Sequence, residues 1–303
     1  MSAAGARVYR VMHPSPLLKH PMLDEALGLD VWVKHENHNP TGSFKIRGGL
    51  NLIGQLSSED RKRGVITAST GNQGQSFAFA CRAHGVRCRV AVPVANNADK
   101  NAAMRALGAE VIETGEDFDA ARTASEAYAT DHPVELLVDG ADPRIATGAA
   151  TLALEVTDAV AAGDLPAPAI VSVPVGNGAL INGVGSWLRA ELPGCRVLGV
   201  QAEAAAAMAL SFAAGRPIDT DSAATYADGI ATRVAIPAAV ERMPGRVDEM
   251  RTVSEADLHA AQEVLAAELG ITVEGAAAAS WAGLLAGPRP DGPALVIVTG
   301  SNV

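Results

Sequence analysis

The chain is 303 residues long, more than one hydrophobic core usually organises, so two lobes are expected. Hydrophobic residues make up 48% of it and aromatic residues only 4%, and the apolar positions are mostly Ala, Val, Leu and Ile, as when helices cover a parallel sheet. With 34 acidic against 24 scattered basic side chains, the formal net charge is −10, which argues against nucleic acid and anionic membranes as partners.

The first residues, MSAAGARVYRVMHPSP, lack the apolar stretch of a signal peptide. No later segment approaches the ~20 apolar, charge-poor residues that span a bilayer. The three cysteines, Cys81, Cys88 and Cys195, are odd in number and lack metal-ligand spacing, so they are expected to be buried, reduced thiols of a cytoplasmic protein.

The first 45 residues show only weak winding. From Gly64 onward, β-branched runs alternate with alanine-rich ones. The pattern predicts a strand at 64–69, a helix at 74–84, a strand at 87–93, a helix at 99–107, a strand at 109–113 and a helix at 118–130. Asp-Gly-Ala-Asp-Pro from Asp139 marks a turn, and a longer helix follows from about Thr147. A second series has a strand at 169–175, a helix at 180–192 and a strand at 196–202. A capping box at Ser254 and Asp257 opens a helix to about Leu269, and 294–299 is a buried strand. The class is α/β. Residues 1–50 and 146–303 are expected to form the large lobe, with 51–145 as a small lobe inserted into it.

Four constellations carry chemistry. In Pro40-Thr41-Gly42-Ser43-Phe44-Lys45, Ser43 is placed to cap a helix whose first turn holds Lys45. There the helix dipole disfavours an ammonium, and Schiff-base chemistry needs the free lone pair. A lysine after a turn is otherwise an ordinary solvated charge. Ser69-Thr70-Gly71-Asn72-Gln73 lies where a strand ends and a helix begins, so its backbone N–H groups and side chains suit a carboxylate or phosphate. The plainer reading is a polar turn.

Gly176-Asn177-Gly178-Ala179-Leu180 occupies a second such junction and suits a phosphate. A dinucleotide fold would need glycine at 181, where Ile181 stands, although Glu203 could imitate its ribose-binding acid. Thr299, after the last strand, could offer a hydroxyl to a neutral heteroaromatic nitrogen.

Together these motifs resemble the fold-type II pyridoxal-phosphate family, in its threonine/serine dehydratase and serine racemase branch. The resemblance covers nearly the whole chain and includes Ser15-Pro16-Leu17, Tyr226-Ala-Asp228-Gly229-Ile230-Ala231 and Val273-Glu274-Gly275-Ala276. It implies a two-lobed architecture like the tryptophan synthase β subunit, with mostly parallel sheets, a cofactor-binding large domain and a mobile substrate-binding small domain. It implies pyridoxal 5'-phosphate as cofactor, held by Lys45 as a Schiff base, with Phe44 beside its ring. Asn72 would face the phenolic oxygen, Gly176, Asn177, Gly178, Ala179 and Leu180 the phosphate, and Thr299 the pyridine nitrogen.

Ser69, Thr70, Gly71, Asn72 and Gln73 would take the substrate carboxylate, leaving Lys45 and Thr70 as the candidate catalytic residues. The implied reaction is β-elimination on a small 3-hydroxy amino acid by a homodimer. A racemase using Thr70 on the opposite face, a β- or γ-replacement enzyme like threonine synthase, and a non-catalytic binder on the same fold are the alternatives. Glu203 matches the first acid of the branch's cation site, but Ala209 stands at the second, so no metal is expected. The motifs end at Val303, and no feedback control by a regulatory domain is expected.

Overall fold

The β-branched runs of the sequence become strands in the computed structural model, which describes residues 3–270 and 272–303. In chain order they are β1 (Leu17–Lys19), β2 (Val31–His35), β3 (Val65–Ala68), β4 (Cys88–Val92), β5 (Glu110–Glu113), β6 (Glu135–Leu136), β7 (Ile170–Pro174), β8 (Arg196–Ala202), β9 (Glu249–Val253) and β10 (Ala294–Val298). They form two sheets, one in each of two compact units.

The first unit comprises Met1–Met12 and Lys45–Gly148. Its four-stranded sheet has the order β5-β4-β3-β6, and every pairing is parallel. Parallel neighbours need crossovers, supplied by the helices Asn72–His84 and Ala98–Ala106. Local chemistry sets their ends. Asn97 caps the second with its side chain, and Gly85 closes the first in the left-handed conformation. Val65, Val90 and Val92 on the strands and Phe77 and Met104 on the helices are fully buried. Each such side chain contributes roughly 1.5–3 kcal/mol by leaving water.

Besides Met1–Met12, which the sequence reading gives to the large lobe, this unit runs from Lys45 through Gly148, where the sequence reading places the breaks after residues 50 and 145. The helix Lys45–Ile53 packs along Asn72–His84, and Arg7 donates to Asn51 Oδ1 at 3.0 Å. A Cβ at Gly148 would lie 2.3 Å from the carbonyl oxygen of Arg47, so the chain up to Gly148 is pressed onto that helix.

The second unit comprises His13–Phe44 and Ala149–Val303. Its six-stranded sheet has the order β1-β2-β10-β7-β8-β9, with β1 antiparallel to β2 and the rest parallel. The N-terminal segment is thus more structured than its weak winding suggests, because β2 lies inside this sheet, in register from Val31↔Ala294 to His35↔Val298. Helix Gly275–Leu285 is buried along all but its last residue, with Trp281 fully covered. The capping box at Ser254 and Asp257 is present and opens Glu255–Leu269.

The helix expected from Thr147 is two helices, Pro143–Ala149 and Thr151–Ala162. Contrary to the sequence reading, the run Pro143–Ala162 has the length and hydropathy to cross a bilayer, 20 residues at a mean of 1.3, but half of it is buried in the protein. All three cysteines are free and buried. A hydrogen bond with Cys88 and burial push the Cys81 thiol above its ordinary range, and burial pushes Cys195 up to about 12. Neither has the character of a reactive thiolate.

Candidate active site

Lys45 is the first residue of the helix Lys45–Ile53, as its motif predicts. Ser43 does not cap that helix. It pairs in an isolated antiparallel bridge with Gly300, and its buried hydroxyl has no hydrogen-bond partner. The bridge holds Ser43 one residue too early, and Phe44 takes the position before the helix. The Lys45 carbonyl accepts from the Ser76 hydroxyl at 2.6 Å. Its ammonium pairs with Asp139, and the two side chains are 16% and 11% exposed. The second oxygen of that carboxylate, Oδ1, is buried without a partner. The sequence reading, which set only the helix dipole against the ammonium, missed this partner because 94 residues separate the two.

In the same unit, the Ser69–Gln73 turn joins β3 to the helix Asn72–His84. Ser69 Oγ accepts from the backbone N–H groups of Gly71 at 3.1 Å and Gly74 at 2.9 Å. The hydroxyl therefore shapes the turn and uses two N–H groups the motif seemed to offer an anion. Thr70 is half-buried, and its carbonyl accepts from Asn96 Nδ2 at 3.2 Å. Gln73 is buried with both ends of its amide unpaired, a costly state for a polar group that no ligand meets. Lys100, absent from the motif reading, runs alongside Gly71.

In the second unit, Gly176–Gly178 links β7 to the helix Ala179–Glu191. Gly178 has φ +86° and stands at the N-cap with no side chain to bond the first turn, and a Cβ at Gly176 would come 2.7 Å from the Gly229 carbonyl oxygen. The turn therefore offers backbone at a helix start, the geometry that binds phosphate. Asn182 braces it from below by donating to the carbonyls of Gly178 and Ala239. Gly229, from the segment Tyr226–Ala231, packs in turn on Ala276, and the Tyr226 ring on Gly275.

The C-terminal motif lies beside the start of the lysine motif. The Phe44 N–H donates to the Thr299 carbonyl at 2.9 Å, the Ser301 N–H to Gly42, and Asn302 Nδ2 to the Thr41 carbonyl at 2.8 Å. Glu274 ties this segment down, accepting from the Asn302 N–H at 2.8 Å while its own N–H donates to Gly300. Glu203 is exposed on a 3-10 turn, and among the described residues no three His, Cys, Asp or Glu converge.

Comparison with known proteins identifies the chain's relatives. Residues 8–300 match the model of the pyridoxal-phosphate dependent enzyme family. The chain is 34% identical to the L-threonine ammonia-lyase of Thermotoga maritima over 97% of its own length and 72% of that protein. It is similar to the crystal structure of T.th. threonine deaminase, with a TM-score of 0.92, 31% identity, and coverage of 99% of this chain and 96% of that one. It also resembles maize serine racemase, with a TM-score of 0.90, 26% identity, and coverage of 99% and 92%. The chain belongs to the pyridoxal-phosphate dependent enzyme family, in its threonine/serine dehydratase and serine racemase branch.

Proposed function

We propose that the protein removes water and then ammonia from a small 3-hydroxy amino acid, L-threonine or L-serine, leaving a 2-oxo acid. The observation that carries this reading is Lys45, a mostly buried lysine opening a helix directly after the Phe44 that bonds Thr299, in a chain whose relatives are named threonine ammonia-lyases and dehydratases.

The residues present suit the cofactor. The uncapped helix start at Gly176, Asn177, Gly178, Ala179 and Leu180 would take its phosphate through backbone N–H groups. Thr299 would face the ring nitrogen, Asn72 the phenolic oxygen and Phe44 the ring, and the unpaired Gln73 amide suits a carboxylate. Bound pyridoxal phosphate supplies an aldehyde for the lysine and a sink for the electrons of the broken Cα–H bond.

Lys45 is the general base. With the cofactor bound, its amine would take the Cα proton of the substrate, and the ammonium so formed would return a proton to the departing β-hydroxyl, which leaves as water. Thr70, Gly71 and Gln73 hold the carboxylate, Ser69 keeping their turn in shape. A hydroxyl at Thr299, unlike a carboxylate, would not keep the ring nitrogen protonated, which favours prompt elimination over a long-lived carbanion. The setting we expect is a cytoplasmic homodimer, checked by light scattering of the purified protein.

The test is a screen of purified protein with pyridoxal phosphate against 3-hydroxy amino acids. Ammonia, 2-oxo acid and enantiomeric composition are followed together. Stoichiometric ammonia and 2-oxo acid from L-threonine or L-serine are expected. Inversion without ammonia would replace the reading with a racemase.

A further inference from the structure

The pairing of Lys45 with Asp139 has no part in the scheme above. Both side chains are largely buried, and Asp139 Oδ1 lacks a partner while Oδ2 holds the lysine. The contact is built into rigid backbone. Ser76 pins the Lys45 carbonyl, Asn51 Nδ2 donates to the Arg144 carbonyl at 2.6 Å, and a Cβ at Gly48 would lie 2.7 Å from Ile145. The helix that carries the lysine and the segment that follows the aspartate therefore keep a fixed spacing.

We propose that Asp139 is a positioning residue that holds the free amine of Lys45 as a paired ammonium, so that this carboxylate governs when the lysine can attack an aldehyde. The proposal rests on Lys45 being the cofactor lysine. An ammonium has no lone pair, so it must part from Asp139 and give its proton to water before its nitrogen can add to the aldehyde carbon. The imine then forms as the aldehyde oxygen leaves as water. During turnover the same carboxylate would take up the lysine whenever it is both displaced and protonated.

Other charged groups lie on the elements packed here. Arg144 is engaged by Glu135 and Asp142, and Arg7 by Asn51. Arg82 and His84 lie in the last turn of the helix that carries Ser76. Arg47 is buried two residues along the lysine's own helix, and Lys100 runs beside Gly71. Asp139 is the acidic group that the structure pairs with Lys45.

The test uses the full chain cleared of cofactor, to which pyridoxal 5'-phosphate is added across a pH series. Borohydride trapping and peptide mass spectrometry read how fast Lys45 is labelled. Asp139→Asn should label at least about fivefold faster at pH 7, while Asp139→Glu should stay close to wild type. Coincident wild-type and Asp139→Asn profiles would overturn the proposal. Absence of label on Lys45 in wild type would instead overturn the functional reading on which it rests.

Discussion

The hydroxyl of Ser76 donates to the backbone carbonyl of Lys45 across 2.6 Å, tying the first turn of the lysine's helix to the helix Asn72–His84. Ser76 is fully buried, so no water replaces it. Ser76→Ala should lower the unfolding free energy by about 0.5–1.5 kcal/mol, the net worth of one such bond. Because the pin sits on the residue we propose as the base, kcat should fall while KM for the amino acid changes little. Denaturant melts and initial rates check both. A variant as stable and as fast as wild type would make the contact incidental.

Lys34 lies in β2 with its ammonium fully buried, donating to Glu155 at 2.5 Å and to the carbonyl and hydroxyl of Ser15. Lys34→Met should destabilise the protein by about 3–5 kcal/mol, since it strips the buried carboxylate of its cation. The double change Lys34→Met with Glu155→Leu should recover much of that loss, which urea melts of wild type, the two single variants Lys34→Met and Glu155→Leu, and the double variant would measure. Additive losses would show that the two residues do not act as a pair.

The same strand shows why part of the fold was hidden in the sequence. The strands β3, β4, β7, β8 and β10 are legible because they are short runs rich in Val, Ile, Leu and Ala. β2 lies inside the large sheet, yet it ends in Lys34 and His35, and what makes Lys34 acceptable there is Glu155, 121 residues away. β9 reads Glu-Met-Arg-Thr-Val because it is an edge strand with one partner, and β1 and β6 are three and two residues long.

The candidate site was more legible than the fold around it. Its motifs lie at strand ends and helix starts, where backbone geometry restricts residue choice locally. Asp139 and Ser76 escaped because their meaning comes from contact with Lys45 and not from their neighbours in sequence. Ser43 was misread because the bridge to Gly300 has no local trace.

His35 supplies a pH dependence. Burial, then the neighbouring His20 and His38, lower its pKa to about 4, and its Nε2 lies 3.0 Å from that of His20, a contact in which one ring must donate and the other accept. A proton that binds the unfolded chain near pH 6.5 is refused by the folded one until about 4. The folded state is therefore favoured above pH 6.5 and loses that advantage as pH falls from 6.5 to 4. Melting temperatures of wild type should drop across that window more steeply than those of His35→Gln. Parallel curves would show that His35 is not part of the acid sensitivity.

Lys45→Ala should abolish turnover and the absorbance of the lysine–cofactor imine, as expected if Lys45 is both attachment and base. It also leaves Asp139 without its cation, so some stability is lost, and Lys45→Ala with Asp139→Asn should regain it without regaining activity. Ammonia release by the single variant at the wild-type rate would remove Lys45 from the mechanism.

Thr70 separates elimination from racemisation. Its side chain is half-buried at the end of β3, its carbonyl is engaged by Asn96 Nδ2, and the turn around it is shaped by Ser69 and not by its own hydroxyl. We expect the Thr70 hydroxyl to act toward the substrate. If it places the carboxylate, Thr70→Ala should raise KM and lower kcat/KM by the ~1–3 kcal/mol of one hydrogen bond to a charged group, and L-elimination should survive.

If Thr70 instead carries a proton on the face opposite Lys45, the same change should remove turnover of the D-substrate and inversion while sparing L-elimination, because Lys45 alone serves that face. A β-branched threonine has one strongly restricted χ1, which suits a fixed carboxylate contact better than a hydroxyl that must swing to meet Cα. We therefore expect the first outcome. The measurement is the rate of wild type and variant on both enantiomers, with deuterium entry at Cα recorded in heavy water. Wild-type protein that exchanges and inverts L-serine faster than it releases ammonia would make Thr70 the second base and the protein a racemase.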